Sequence, residues 1–207
     1  MGRVLVVSHD VLGERMAGPA IRAVELSRVL AEEHDVTLAG PNDCSVDLGL
    51  RTVKYMHPDL PGLAAAADVA IVGGLTVALC PALAQAGVPL VVDVYAPFTL
   101  ENLQLFSSRD MPVRIDDSEG LLRALLLQLR LGDYFLCASE KQRDYWLGAL
   151  SAAGRVNPAA YRSDPTLRRL IDVVPFGLPC EPPRHSSPVM KGVFPGIGRD
   201  DKVILWG

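Results

Sequence analysis

Short apolar runs alternate along the chain with segments in which apolar residues recur every three or four positions. Residues 3–8 (RVLVVS) form the first run, and continuous apolar runs of this length are typical of strands buried on both faces. Residues 18–33 place alanine, valine and leucine on one stripe and charged residues opposite, which predicts an amphipathic helix. Pro19 fits the first turn of that helix, where a backbone N–H has no helical partner.

The same alternation continues almost to the end of the sequence. Further strands are predicted at residues 35–39, 50–55, 68–72, 88–94, 133–138, 171–174 and 202–206. Further helices are predicted at residues 60–67, 75–86 and 118–131, and from Ser139, which forms a capping-box pattern with Gln142. Strands that alternate with helices connect through right-handed crossovers. The predicted fold class is therefore α/β, with a Rossmann-like, doubly wound parallel sheet.

One stretch, residues 69–92, contains no charged side chain and is long enough to span a membrane. Glycines at 73–74, Pro81 and the segment 87–89 divide it into short pieces. We therefore expect two buried strands and an alanine-rich helix here rather than a membrane span.

The charge balance argues against a nucleic-acid-binding protein. The 207 residues include 20 Lys+Arg and 24 Asp+Glu, which gives a formal net charge of -4 and no basic excess for phosphate contacts. Hydrophobic residues make up 49%, as expected of a chain with a folded core. The length predicts one large domain with an additional segment.

Cysteine and histidine spacing predicts neither a metal site nor a disulfide framework. Cys44, Cys80, Cys137 and Cys180 lie far apart and form no Cys-x-x-Cys pair, and the four histidines show no ligand spacing. The N-terminus lacks the apolar stretch of a signal peptide. We therefore expect reduced thiols and a cytoplasmic location.

In an open parallel sheet, ligands bind beyond the carboxyl ends of the strands, where the strand order reverses. This rule selects residues 8–18, 73–74, 93–99 and 139–140. His9, in the first segment, is either a hydrogen-bond donor or proton carrier, or an incidental loop residue. Ser139 and Glu140 also fit a helix N-cap and a first-turn acid.

Three residues in or just after these segments are candidates for ligand binding. Gly18 lies at a helix N-terminus, which favours an anion, although an ordinary tight turn explains the glycine equally well. Arg22, one turn later, either holds an anion or pairs with Glu25. Asp93 ends an apolar strand, where a carboxylate needs partners: it binds sugar hydroxyls, acts as a base, or braces a neighbouring loop.

Several nucleotide-binding and catalytic motifs are missing from the sequence. The first loop does not have the Gly-x-Gly-x-x-Gly spacing, and there is no Walker motif, no Gly-x-Ser-x-Gly elbow and no Tyr-x-x-x-Lys pair. These absences disfavour a nicotinamide-dependent dehydrogenase or epimerase.

Six segments, taken in order, match a known family. They are ERMAGPAIR at residues 14–22, ELSRVL at 25–30, VVDVYAPF at 91–98, CASEKQRD at 137–144, VVPFG at 173–177 and KVILWG at 202–207. With these segments the chain resembles the N-terminal half of a family 4 glycosyltransferase of the two-domain GT-B architecture. Each motif is moderately specific, and their common order strengthens the resemblance.

The resemblance implies an acceptor domain at residues 1–175, a linker at 176–201, and at 202–207 the first strand of a truncated donor domain. It implies transfer of a sugar from a nucleotide-sugar donor to an acceptor, with retention and without a metal. The nucleotide sugar is then a co-substrate and no other cofactor is implied. The chain alone is expected to be inactive, because the donor domain is missing.

The resemblance also implies roles for individual residues. Gly18 matches the glycine of the loop that approaches the donor diphosphate, although Ala17 replaces the second glycine of many relatives. Tyr95 stands where many relatives carry a histidine, so Asp93 is the candidate catalytic residue. The candidate substrate-binding residues are Gly18, Arg22, Tyr95, Ser139 and Glu140.

An alternative is a free-standing, non-enzymatic binding or assembly domain of the same fold, with the helix at 121–131 as its partner surface. The leucine-rich helix at 118–131 also leaves open a peripheral contact with the inner face of a membrane, although Arg123 and Arg130 are its few cationic residues. The reading frame after Gly207 discriminates the two functions. A second βα domain supports the enzyme, and a stop codon favours the binding module.

Overall fold

Seven strands form the central sheet of the computed structural model, which describes residues 1–177, 182 and 184–204. They are β1 (Arg3–Val7), β2 (Asp35–Gly40), β3 (Arg51–Lys54), β4 (Val69–Gly73), β5 (Leu90–Asp93), β6 (Tyr134–Cys137) and β7 (Ile171–Val173). All pairings are parallel, and the order is β3-β2-β1-β4-β5-β6-β7. The predicted α/β, Rossmann-like, doubly wound fold is confirmed.

The helices differ more from prediction than the strands do. They are α1 (Gly18–Ala31), α2 (Leu60–Ala65), α3 (Thr76–Leu79), α4 (Phe98–Leu105), α5 (Met111–Leu131), α6 (Glu140–Ala152) and α7 (Pro158–Ser163). The single helix predicted at 75–86 is wrong. Because Pro81 has no N–H for a helical hydrogen bond, α3 ends at Leu79 and Pro81–Gln85 forms a separate 3-10 turn.

The uncharged stretch 69–92 is therefore divided among two strands, a short helix and a turn. Among the described residues, no helix is both long enough and apolar enough to cross a membrane.

Two helices and the first third of α5, residues 111–117, have no counterpart in the predicted elements. The leucines of α4 are largely exposed, so no buried stripe marks this helix in the sequence. Before α7, Asn157 accepts hydrogen bonds from the N–H groups of Ala159 and Ala160, at 3.0 and 3.1 Å. Asn157 followed by Pro158 is a helix-start signal that the sequence does carry.

Alternate residues of β1 face two separate cores, as the period of a strand requires. Leu5 and Val7 belong to the larger core, which also contains Val72, Val92, Leu125, Leu129, Phe135 and Trp146. Val4 and Val6 belong to the core beneath α1, with Ala20, Val24, Val36 and Leu38. α5 therefore contributes to the larger core with one face only, and Leu122 on that helix is 50% exposed.

Residues 1–177 form one compact unit, and the described residues that follow form a second, smaller one. Residues 202–204 have no strand conformation, and the rest of the strand predicted at 202–206 lies outside the described residues, as does Cys180. The linker at 176–201 and the donor-domain strand stay predictions. Cys44, Cys80 and Cys137 are free thiols.

Candidate functional site

A cavity of about 270 Å³ opens at the carboxyl ends of β1, β4 and β5. The strand order reverses between β1 and β4, because the chain winds outward from this point in both directions. Three of the four predicted ligand segments line the cavity, through Ser8 and His9, Gly73 and Gly74, and residues 93–96. The topology thus creates the candidate site where the rule for parallel sheets places one.

Arg22 and Asp93 form a buried ion pair in the cavity wall. Arg22 Nε donates to Asp93 Oδ2 at 2.6 Å and Nη2 donates to Oδ1 at 3.2 Å, with the two side chains 4% and 12% exposed. The remaining nitrogen, Nη1, donates to the carbonyl of Pro175 at 3.2 Å. The pairing of Arg22 with Glu25 that the sequence left open does not form, since Glu25 pairs with Arg28 at 2.6 Å.

The environment of Asp93 changes its affinity for a proton. Burial raises the pKa of the Asp93 carboxyl, and the hydrogen bonds from Arg22 and from the backbone N–H of Tyr95 partly oppose that rise. The Tyr95 N–H donates to Oδ1 at 3.2 Å. A carboxylate desolvated in this way, in the wall of a cavity, has the properties of a candidate proton acceptor.

Tyr95 connects the ion pair to its surroundings. Its ring centroid lies 5.1 Å from Arg22 Cζ, a cation–π distance, and 5.7 Å from the ring of Phe176. Its carbonyl accepts a hydrogen bond from Gln142 Nε2 at 3.0 Å. Tyr95 therefore joins the end of β5 to α1 and α6 beside the cavity.

Gly18 begins α1 next to this cluster. The N-cap residue Ala17 makes no side-chain cap, and the first turn holds no acidic residue, so no carboxylate there offsets the positive end of the helix dipole. A Cβ at Gly18 would lie 3.8 Å from the Tyr95 hydroxyl, which is ordinary contact. The packing inside the protein therefore does not require glycine here.

His9 lies directly over Gly74. Gly74 has φ +59°, and a Cβ at this position would be 2.5 Å from His9 Nδ1. Only glycine allows both this backbone conformation and the approach of the imidazole. The sequence marked residues 73–74 as a ligand segment, but their contact with His9 could not be read from it.

Ser139 and Glu140 lie away from the cavity. Ser139 Oγ accepts a hydrogen bond from the Gln142 N–H at 3.2 Å and caps α6, and Glu140 pairs with Arg168 at 2.8 Å. The capping box is not reciprocal, because Gln142 Oε1 accepts from the N–H of Ala138 instead, at 2.8 Å.

The opposite wall of the cavity consists of residues that sequence reasoning missed. They are Glu101 and Asn102 of α4, Leu121 and Gln128 of α5, and Trp146 of α6; Phe98 of α4 also lines the cavity but belongs to the predicted segment 93–99. The α4 residues were missed with their helix. Gln128 had a signal, since it is the single polar residue in the apolar run ALLLQL at residues 124–129.

The comparisons with known proteins support the fold. No protein-family model and no curated protein matches the sequence significantly. Among solved structures, a sucrose-phosphate synthase from Thermosynechococcus elongatus matches at 13% identity with a TM-score of 0.50, over 84% of this chain and 48% of that one. The chain shares the Rossmann-like fold of this glycosyltransferase.

Two further matches have TM-scores below 0.5. Phytolacca americana UGT2, complexed with UDP-2fluoro-glucose and pterostilbene, matches at 14% identity and a TM-score of 0.49, over 86% of this chain and 54% of that one. A short-chain dehydrogenase/reductase from Veillonella parvula, in complex with NADP, matches at 16% identity and 0.43, over 67% and 70%. The chain spans about half the length of the two glycosyltransferases.

Proposed function

We propose that the chain is the acceptor-binding half of a glycosyltransferase that takes a sugar from a nucleotide-sugar donor. The observation that carries the proposal is the cavity at the strand-order reversal, with Asp93 in its wall. The fold shared with a sucrose-phosphate synthase, of which the chain matches 48%, supports it and leaves the donor to a second domain.

In the proposed reaction, the acceptor lies in the cavity with a hydroxyl group at Asp93. The hydroxyl oxygen bonds to the anomeric carbon of the donor, and the bond from that carbon to the diphosphate oxygen breaks. The nucleoside diphosphate leaves with the electron pair, and the hydroxyl proton passes to Asp93, whose raised pKa suits this role. We further propose that the anomeric configuration is retained, as in the family that the sequence resembles, so the hydroxyl oxygen must attack from the face on which the diphosphate leaves.

The N-terminus of α1 would stabilise the leaving diphosphate. Gly18 leaves room for a ligand at this helix end, and neither a side-chain cap nor a first-turn acid competes for its N–H groups. Helix N–H groups can replace a metal in this role, so the proposal includes no metal and no cofactor besides the donor. Arg22, whose charge is matched by Asp93, acts as a positioning residue.

The test measures nucleoside diphosphate release and glycoside formation by the product of the complete reading frame that contains these 207 residues. Asp93→Asn is expected to lower the rate by about 10²–10⁴-fold, the usual effect of losing a general base. The matched control is Asp68→Asn, because Asp68 is an exposed carboxylate that pairs with Arg3 just before β4, at the opposite edge of the sheet.

The isolated chain is expected to bind UDP-, GDP- and TDP-sugars weakly in isothermal titration. Tight binding would contradict the division into acceptor and donor halves. Equal rates for Asp93→Asn and the unsubstituted protein would contradict the role of Asp93.

A binding or assembly module is the second candidate, favoured by an exposed apolar surface. The surface lies mainly on α4 and on residues 111–115 of α5; within the predicted surface 121–131, Leu125 and Leu129 are buried and Leu122 is exposed. It comprises Leu100, Leu103, Leu105, Met111, Val113 and Ile115. Sedimentation velocity tests it: self-association that Leu105→Asp abolishes supports assembly, and a monomer at every concentration argues against it.

A further inference from the structure

Two polar groups in the cavity wall have no hydrogen-bond partner within the described part of the chain. They are the amide Nε2 of Gln128 and the indole Nε1 of Trp146. Both residues are 1% exposed and both line the cavity. Since nearly all buried donors in folded proteins are paired, two unpaired donors at one cavity call for a physical cause.

The sequence around Gln128 makes the amide conspicuous. Its neighbours Leu125 and Leu129, on the same helix, are buried in the larger core with Trp146. A leucine or methionine at 128 would satisfy that core without an unpaired polar group. Core packing therefore does not explain why residue 128 carries an amide, and binding of a ligand does.

We infer that the N–H groups of Gln128 and Trp146 bind a hydrogen-bond-accepting oxygen of the acceptor molecule, a carbonyl or ether oxygen. This inference rests on the proposed function and specifies its substrate class. Both unpaired atoms are donors, so a ligand atom that pairs with either of them must accept.

The acceptor is a neutral, mainly apolar molecule. Apart from His9, the described lining includes three charged side chains, Arg22, Asp93 and Glu101. The charges of Arg22 and Asp93 neutralise each other in their ion pair. These three groups leave no net positive charge for a carboxylate or phosphate ligand. Apolar side chains line most of the remaining wall, among them Val7, Val72, Val94, Phe98 and Leu121.

The cavity size limits the ligand further. A volume of about 270 Å³ lies near the lower end of the range of small-molecule sites. One ring or a short chain fills this space. The hydroxyl to be glycosylated lies at Asp93, and the accepting oxygen lies on the wall formed by α5 and α6.

The test compares two phenols of nearly equal shape by isothermal titration into the chain. 4-Hydroxyacetophenone carries a carbonyl, which 4-ethylphenol lacks. We expect the ketone to bind about tenfold more tightly, the gain from one or two neutral hydrogen bonds. Gln128→Met and Trp146→Phe should each reduce this preference, and the double variant should abolish it, so that the two phenols bind with equal affinity.

The stability of the free protein gives a second readout. Gln128→Met should leave the thermal midpoint unchanged or raise it, because it removes an unpaired donor. The matched control is Gln142→Met, which should lower the midpoint, because the Gln142 amide bonds to Ala138 and Tyr95.

Equal affinity for the two phenols, no binding of either, or tighter binding of methyl glucoside would overturn the inference. So would a ketone preference that survives in the double variant, or a loss of stability in Gln128→Met as large as in Gln142→Met. Phenol binding does not require the nucleotide sugar. A preference for the ketone without any glycosyl transfer therefore refutes the proposed function but not this inference. Glycosyl transfer to both phenols at rates that Gln128→Met does not change refutes this inference but not the proposed function.

Discussion

Asp93 and Arg22 place opposite charges in a mainly apolar wall. Such a pair adds little net stability, but removing one partner leaves an unpaired buried charge and costs about 3–5 kcal/mol. Because Arg22 also donates to the Pro175 carbonyl, it ties α1 to β5 and to the segment after β7. The pair therefore fixes Asp93 at the cavity.

Arg22→Met is expected to destabilise the chain by about 3–5 kcal/mol at neutral pH. Burial already raises the pKa of Asp93, and the variant removes the two Arg22 hydrogen bonds that oppose this rise, while the one from the Tyr95 N–H stays. A carboxyl whose pKa is higher in the folded state favours folding below that pKa, and this contribution is lost as the pH rises through it. The loss in Arg22→Met should therefore shrink toward acidic pH in denaturant titrations from pH 4 to 8.

The control for this prediction is Arg123→Met on α5. Arg123 is 68% exposed, and its 3.5 Å pair with Glu119 is worth at most about 1 kcal/mol. A loss in Arg22→Met that is independent of pH would show that Asp93 does not respond to its partner.

Gly74→Ala tests the contact with His9. The left-handed backbone costs about 1–2 kcal/mol for a residue with a side chain, and the collision with the imidazole adds to it. Gly49→Ala is the matched control, because Gly49 has φ +69° and nothing within 4 Å of its Cβ position. In a His9→Ala background, the cost of Gly74→Ala in urea unfolding should fall to that of Gly49→Ala; an unchanged cost would contradict the contact.

At this scale the sequence identifies chemistry but not partners. Asp93 stands out because a carboxylate ends an apolar strand, and Arg22 because it follows a helix start. Their pairing depends on how β5 and α1 pack across the sheet, which residue patterns do not contain. The unpaired donors of Gln128 and Trp146 are likewise visible only when the surrounding core is built.

At the scale of elements, the junction of α5 and β6 gives a test of close packing. Gly132 ends α5, and a Cβ there would lie 2.7 Å from Val92 Cγ2 and 2.9 Å from the Phe135 ring. Gly132→Ala should cost about 1–3 kcal/mol by overpacking. Gly148→Ala, within α6 and with nothing within 4 Å, should instead stabilise by about 0.5–1 kcal/mol. Thermal unfolding measures both, and equal effects would contradict the packing.

The seven strands of the sheet were predictable because buried parallel strands are continuous apolar runs, and only the ends of these seven moved; residues 202–204 of the eighth predicted strand have no strand conformation. Helices were predictable where one stripe is buried, as in α1. α4 packs on α5 and leaves its leucines exposed, so it lacks that stripe. The apolar pattern of residues 75–86 continues past Pro81, but the helix ends before it because proline lacks the backbone N–H. The prediction was wrong because it followed the side-chain pattern alone.

At the scale of the whole chain, strand order decides which loops meet. The order β2-β1-β4-β5 brings the ends of three strands to one cavity, and right-handed crossovers allow that meeting to be predicted from the alternation of elements alone. The fourth predicted segment, at 139–140, follows β6 one strand further out and does not reach the cavity. The sequence therefore indicated the segments that line the candidate site, and the strand order decided which of them meet there.

The compactness of residues 1–177 leads to a last prediction. A chain that ends at Gly177 should unfold cooperatively, keep the ketone preference and have nearly the same thermal midpoint, because it retains β7 and the Arg22 bond to Pro175. A chain that ends at Leu170 is the control. It loses the fully buried Ile171, whose carbonyl accepts from Arg143, so several kcal/mol of stability should disappear. Equal stability of the two shortened chains, or failure of the longer one to fold, would contradict an independent unit that ends after β7.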